Sequence, residues 1–442
     1  MRSTRSQTTS STAPRRVSWS RQRAVLPSAG SHGRERWTAA VATSAGEASV
    51  RTVLTAFAAS TGWRGPRGRS RSRARRTGPA ARDGGDVGRR RRARCGRLGR
   101  GSVGPHTRTA PGCPGHPPTL SAVVTAPPDA AAAALEVHVW SVPMRTRFRG
   151  IDVRDGVLVR GPAGWGEFSP FWDYDVVESR RWWAAAHEAA VLGWPDPLRA
   201  GVPVNVTVPA VGPDRAHAIV TASGCRTAKV KVAEPGQSAA DDVARVEAVR
   251  DALGPTGAIR VDANAAWDVD TAVTRLRELD RVGLEYAEQP CATIAELAAV
   301  RRRVDVRVAA DEVVRRAADP RTVDLREAAD VVVLKVQPLG GVRAALEVAD
   351  AHGLPCVVSS ALESSVGIAA GVALAAALPE LPFACGLATV ALFTADVTGE
   401  PLLPVDGALP VRRPEPDRLA ETAADPAVTQ RWRARLAAVT AS

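Results

Sequence analysis

Between residues 203 and 389 the chain repeats one unit eight times: a short strand-like run ending in a polar residue, followed by a helix-like run, with a period of about 24 residues. The runs are VNVTVPA (204–210), TAKVKV (227–232), AIRVDAN (258–264), LEYAEQP (284–290), VRVAADE (306–312), VVVLKV (331–336), PCVVSS (355–360) and FACGLAT (383–389). Helical stretches such as ADDVARVEAVRDAL (240–253) and DTAVTRLREL (270–279) lie between them. Continuous Val, Ile and Ala suit strands buried on both faces, as in a parallel sheet covered by helices. Eight such units in series favour closure into a (β/α) barrel. An open doubly wound sheet is the alternative, and no GxGxxG turn supports it.

The segment before the repeat reads differently. LEVHVW (135–140), DVRDGVLVRG (152–161) and WGEFSPF (165–171) are strand-like and SRRWWAAAHEAAVLG (179–193) is helical, which makes residues 135–202 a small α+β capping unit. Residues 203–400 then form the barrel, and 401–442 return to the cap before ending in a tail. The longest apolar run, 366–378, is too short for the 18 or so residues of a membrane span and reads as a buried helix. Residues 1–134 are rich in Arg, Ser, Thr, Gly and Pro, with RSRSRARR at 69–76 and RRRRAR at 89–94 and no sustained period. Such a segment cannot bury enough apolar surface to offset its ordering entropy, so it is expected to be disordered.

Charge follows the same division. The formal net charge of +13 invites a nucleic-acid reading, yet residues 1–130 hold 25 Arg against five acids, and the remainder carries 34 basic and 41 acidic residues, a net of −7. A nucleic-acid-binding tail, a targeting peptide and upstream sequence included by a wrongly chosen start codon are the three readings of this head. Nucleic-acid binding through it is the one function class outside catalysis that the sequence offers, and its test is salt-dependent binding lost on deleting residues 1–130. Six cysteines show no CxxC pair and seven histidines no HExxH, which argues against zinc and disulfide frameworks and suits a reducing cytosol.

Lysine usage points to the chemistry. Only Lys229, Lys231 and Lys335 occur beside 56 arginines, in a composition expected of a G+C-rich coding sequence. Where a cation merely solvates a surface, arginine serves; arginine cannot act as a base at physiological pH, whereas a lysine in a buried, cation-rich site can. In a barrel the active site lies at the C-terminal ends of the strands, so the last polar residue of each run is the informative one. The second run ends at Lys229 and Lys231, the third at Asp262, the fourth at Glu288, the fifth at Asp311 and the sixth at Lys335.

Three carboxylates from neighbouring strands repel unless a cation sits among them, and all-oxygen ligation selects a hard divalent ion such as Mg²⁺, for which Mn²⁺ can substitute. Each acid could instead cap the helix that follows it, although three in succession flanked by lysines exceed that explanation. Lysines on the second and sixth strands would face each other across the ion. Lys229, two residues before Lys231 on the same side of the strand, would lower the pKa of its neighbour and make Lys231 a plausible general base.

The KVKV, VDAN, EQP, AADE and LKV strand ends resemble the enolase superfamily, in the subgroup of muconate lactonising enzyme; no catalytic His stands at the seventh strand, unlike the mandelate racemase subgroup. Within the lysine subgroup, SSALESSVGIAAG (359–371), LPELPFACGLAT (378–389), LFTADV (392–397), MRTRFRG (144–150), GPAGWGEFSPFWDYD (161–175), PVNVTVPAV (203–211) and KVKVAEPGQ (229–237) are similar to the o-succinylbenzoate synthase family in its actinobacterial form, over about residues 135–412. The resemblance implies an enolase-like (β/α)7β barrel with an α+β cap and a cytoplasmic lyase of menaquinone biosynthesis. It implies that Asp262, Glu288 and Asp311 bind Mg²⁺, that Lys231 removes the α-proton and assists departure of the hydroxyl, and that Lys335 stabilises the enediolate. Ser359, Ser360 and Gly386 become candidates for the succinyl arm of a small carboxylate substrate, Asn264 for orienting the metal shell or a strand end, and Arg147 and Arg149 for greeting a dianion. N-succinylamino acid racemase, muconate cycloisomerase and dipeptide epimerase share the same constellation. Monomer and homo-oligomer both remain open.

Overall fold

The computed structural model describes residues 135–441, so the disorder expected of residues 1–134 lies outside the described residues. β1 (Glu136–Phe148), β2 (Ile151–Gly161) and β3 (Gly164–Phe168) form an antiparallel sheet in chain order. β1 runs further than LEVHVW because its pairing with β2 continues from Glu136 opposite Arg160 to Pro143 opposite Val153, then shifts register before Phe148 meets Ile151 at the hairpin. α1 (Val176–His187) begins three residues earlier than the sequence suggests. Asp175 explains this: its side chain accepts the Glu178 N–H at 2.8 Å while the Glu178 side chain accepts the Asp175 N–H at 3.3 Å, closing a capping box.

After β4 (Gly201–Pro203), the parallel strands β5 (Val206–Val208), β6 (Thr227–Lys231), β7 (Ala258–Asp262), β8 (Leu284–Glu288), β9 (Val308–Ala310), β10 (Val331–Leu334) and β11 (Cys356–Val358) lie side by side in chain order. They alternate with α2 (Pro213–Ser223), α3 (Ala239–Leu253), α4 (Val269–Leu279), α5 (Ile294–Arg301), the short α6 (Glu312–Arg315) and α7 (Val336–Leu339), α8 (Val342–His352) and α9 (Ser365–Ala377). The eighth run, FACGLAT, is not a full strand. Cys385 bridges to Val204 and Gly386 to Ser359, with the Cys385 N–H donating to Pro203 at 2.7 Å and the Gly386 N–H to Val358 at 2.8 Å. Those bridges join β11 back to β5 and close the ring. Gly386 suits so close a seam, since a Cβ there would lie 2.6 Å from the Ser359 hydroxyl oxygen.

α9 takes up most of the apolar run expected to be a buried helix, and Ser365 to Ala376 are all buried. It needs no polar face because it lies against β3 and β4 as well as β11 and α8. Beyond the barrel, β12 (Ala408–Pro410) pairs antiparallel with β4, and α10 (Pro426–Thr440) packs on β1 and α1. Trp432 anchors α10: it is fully buried, sits edge-on to Phe168 at 5.9 Å between ring centroids, and donates its indole N–H to Asp155 at 3.1 Å. Among the described residues, no helix is long and apolar enough to cross a membrane, and Cys225, Cys291, Cys356 and Cys385 are free and buried.

Candidate active site

Parallel register sets the site. Lys231 lies beside Asp262 and Asp262 beside Glu288, at the C-terminal ends of β6, β7 and β8, while Asp311 and Lys335 follow directly on β9 and β10. The chain turns sharply at these rims, through positive φ at Ala233, Asn264, Ala265 and Gln289. β6 and β10 are separated by β7, β8 and β9 on one side and by β5, the 385–386 seam and β11 on the other, so Lys231 and Lys335 approach the mouth from opposite sides of the ring.

The charged groups interlock. Lys229 Nζ donates to Glu288 Oε1 at 2.6 Å and stands 2.9 Å from Asp262 Oδ2. Lys231 Nζ donates to Asp262 Oδ2 at 2.7 Å and to the Asn264 side-chain oxygen, and the Asn264 N–H bonds Asp262 Oδ1 at 3.0 Å. Lys335 Nζ donates to Asp311 Oδ2 at 2.5 Å. Burial acts to lower Lys229, but Asp262 and Glu288 outweigh it and raise it well above the ordinary lysine value. Lys231 is shifted the other way: burial lowers it, Asp262 opposes, and the charge of Lys229 lowers it further. Burial tends to raise Asp262, yet Lys229 and Lys231 hold it well below the usual carboxylate range. Glu288 is pushed up by burial and then by Asp262, against the pull of Lys229.

These acids are not helix caps. Asp268, Thr293 and Ser364 cap α4, α5 and α9, and Asp311, although it precedes α6, makes no side-chain capping bond. Among the described residues no group of three or more Asp, Glu, His or Cys side chains is arranged as it stands to hold a metal ion. Lys229 lies between two of the three carboxylates and Lys335 against the third. The donor chemistry nevertheless fits a hard cation. All donors are carboxylate oxygens, and Glu288 Oε2 is buried without any hydrogen-bond partner. Holding such an ion requires the ammonium groups to release the carboxylates.

Nine of the twelve residues singled out from the sequence line one cleft: Lys229, Lys231, Asp262, Asn264, Lys335, Ser359, Ser360, Gly386 and Arg149. Glu288 and Asp311 are almost wholly buried and are bonded to Lys229 and Lys335. Arg149 lines the cleft with its guanidinium 4.0 Å from the centre of the Phe171 ring, whereas Arg147 is an exposed partner of Asp152 at 2.7 Å. Sequence reasoning passed over Thr207 and Thr389, which also line the cleft; reading the last polar residue of the first and eighth runs would have found both. It passed over Phe148, whose ring centre lies 5.4 Å from Lys231 Nζ, and Arg315, four residues after Asp311 and bonded to it at 2.9 Å.

Residues 139–190 match the family described as enolase N-terminal domain-like, and residues 213–416 the family described as enolase C-terminal domain-like. An o-succinylbenzoate synthase of Thermobifida fusca is 68% identical over 307 residues, covering 69% of this chain and 96% of that protein. The chain belongs to the o-succinylbenzoate synthase family of the enolase superfamily. An o-succinylbenzoate synthase of Mycolicibacterium smegmatis is 54% identical over 306 residues, covering 68% of this chain and 94% of that one. The muconate lactonizing enzyme of Pseudomonas fluorescens, solved with muconolactone, superposes with a TM-score of 0.58 over 66% of this chain and 98% of its own at 21% identity, a likeness of fold. Enolase-superfamily enzymes depend on a divalent metal ion, which agrees with the carboxylate donor set of this member of the o-succinylbenzoate synthase family.

Proposed function

We propose that this chain catalyses the syn dehydration of 2-succinyl-6-hydroxy-2,4-cyclohexadiene-1-carboxylate to o-succinylbenzoate, a step of menaquinone biosynthesis, in the cytoplasm. The observation that carries the reading is the set of lysines reaching one cleft from opposite sides of the ring, beside carboxylates at consecutive strand ends, in a chain 68% identical to an o-succinylbenzoate synthase. The catalytic unit is the barrel of residues 203–400 under the cap of residues 135–202, with 401–442 returning to the cap.

Asp262, Glu288 and Asp311 would hold Mg²⁺, with Mn²⁺ able to substitute. When bound, the ion supplies positive charge that stabilises the substrate carboxylate as the α-carbon loses its proton. Lys231 takes that proton and returns it to the departing hydroxyl on the same face, which makes the elimination syn. Lys335, on the other side, stabilises the developing enediolate electrostatically. Asn264 holds Lys231 in place by accepting its N–H. Ser359, Ser360 and Gly386 border the part of the cleft suited to the succinyl arm; Ser360 bonds Thr389 at 2.8 Å, hydroxyl to hydroxyl.

Racemisation of N-succinylamino acids needs the same lysine pair, with both lysines exchanging protons. The test is purified enzyme with Mg²⁺ on both substrates. We expect dehydration to exceed racemisation by orders of magnitude in kcat/KM; the opposite order would reverse the assignment.

A further inference from the structure

Arg315 and Glu312, on the short helix α6, belong to no role assigned above, yet they join the Lys231 and Lys335 sides of the cleft by direct side-chain contacts that bypass Asp262 and Glu288. Arg315 Nε donates to Asp311 Oδ1 at 2.9 Å, and its Nη2 to Glu312 Oε1 at 2.6 Å. The same Glu312 oxygen accepts the Asn264 side-chain N–H at 3.2 Å, and Asn264 accepts from Lys231. Asp311 meanwhile accepts from Lys335 on its other oxygen at 2.5 Å. The path Lys231, Asn264, Glu312, Arg315, Asp311, Lys335 is therefore continuous.

The third arm of the fork leaves the barrel: Arg315 Nη1 donates to the hydroxyl of Tyr174, from the segment between β3 and α1. Arg316 stacks over the Tyr174 ring at 4.5 Å and pairs with Asp173 at 2.8 Å. Arg181 of α1 donates to the backbone oxygens of Ala317 at 3.0 Å and Ala318 at 2.6 Å. The chain just past Asp311 is thus held by groups from the cap, and Arg315 is 6% exposed. A planar guanidinium meets three acceptors in fixed directions, which a lysine ammonium on a flexible stem cannot reproduce. An ion pair serving packing alone would not need one acceptor shared with the amide that holds Lys231.

We propose that Arg315 is a positioning residue: with Glu312 it sets the Asp311 carboxylate for the divalent ion and, through Asn264, the Lys231 amine, and it ties both to the seated cap through Tyr174. The inference rests on the metal-binding reading above. Groups that orient metal ligands change metal affinity or activity by roughly 10- to 100-fold when altered.

The experiment compares full-length wild type, Arg315→Lys and Tyr174→Phe. Mn²⁺ alone is titrated in with free Mn²⁺ followed by electron paramagnetic resonance, and kcat and KM are measured at saturating metal. Arg315→Lys is expected to weaken Mn²⁺ binding about tenfold or more and to lower kcat by a similar factor with KM within about threefold. Tyr174→Phe, which removes a single hydroxyl and is the deciding variant should Arg315→Lys not fold, is expected to shift Mn²⁺ affinity and kcat in the same direction by about threefold. Lower melting temperatures with Mn²⁺ affinity and kcat intact would show Arg315 to be a packing residue and overturn the inference. Wild type that takes up no Mn²⁺ would overturn the metal-binding reading and this inference with it; uptake by wild type with unchanged affinity in both variants overturns this inference alone.

Discussion

Glu167 on β3 offers a stability prediction that can be worked through. Its carboxylate lies at the N-terminus of α9, accepting Ser169 Oγ at 2.7 Å on one oxygen and, on the other, Ser364 Oγ at 2.5 Å and the Gly367 N–H at 3.1 Å. Arg154 is near but spends its donors on backbone oxygens, including those of Leu362 and Asp155 at 2.9 Å each and that of Ser169. Burial, and then the charge of buried Glu363, push Glu167 from the ordinary 4.5 to about 7 despite the serine bonds and Arg154. The folded chain therefore binds more protons than the unfolded one between those values. Stability from this group is fully present below pH 4.5 and is lost as pH rises through about 7. The whole rise corresponds to about 3 kcal/mol, of which about 2.5 kcal/mol falls between pH 5 and pH 8.

Glu167→Gln removes the titration while keeping the shape. Its amide oxygen can face Ser364 and Gly367 and its nitrogen Ser169, so the bonds lost at fixed pH cancel when the same variant is compared at two pH values. Urea unfolding of wild type and variant at pH 5 and pH 8 measures the difference directly. The variant should gain about 2.5 kcal/mol relative to wild type on going from the lower to the higher pH. A relative gain below about 0.5 kcal/mol would refute the reasoning, because Glu167 would then ionise in the folded chain as readily as in water.

Two further expectations concern single residues. Lys231→Arg keeps the charge but cannot give up its proton, so kcat should fall by about 10²- to 10⁴-fold with an unchanged circular dichroism spectrum, and retention of activity within tenfold would exclude Lys231 as the base. Trp432→Ala removes a fully buried indole together with its bond to Asp155, and should destabilise the chain by about 3–5 kcal/mol in urea. A cost below about 1 kcal/mol would mean that α10 is only loosely attached.

What could be read along the chain was whatever depends on local periodicity and residue chemistry. Strand pleat alternates side chains strictly, so the polar residue closing each Val-rich run had to face the mouth of a barrel, and Lys229, Lys231, Asp262 and Lys335 line the cleft by that rule alone. Lysine scarcity pointed to the same residues independently. The rule reached less far where no run ends cleanly: FACGLAT supplies only single-residue bridges, and the start of α1 depended on a cap at Asp175 that lies outside its apolar stretch.

Only tertiary packing decided which distant groups meet. Tyr174 reaches Arg315 across 141 positions, Glu167 reaches Ser364 across 197, and Trp432 reaches Asp155 across 277. No local pattern encodes such pairings, because a buried donor or acceptor takes whichever partner the packed helices and strands bring within hydrogen-bond distance. The ring of strand-end residues was thus written into the sequence, while the polar contacts that hold the cap on that ring arise from the fold.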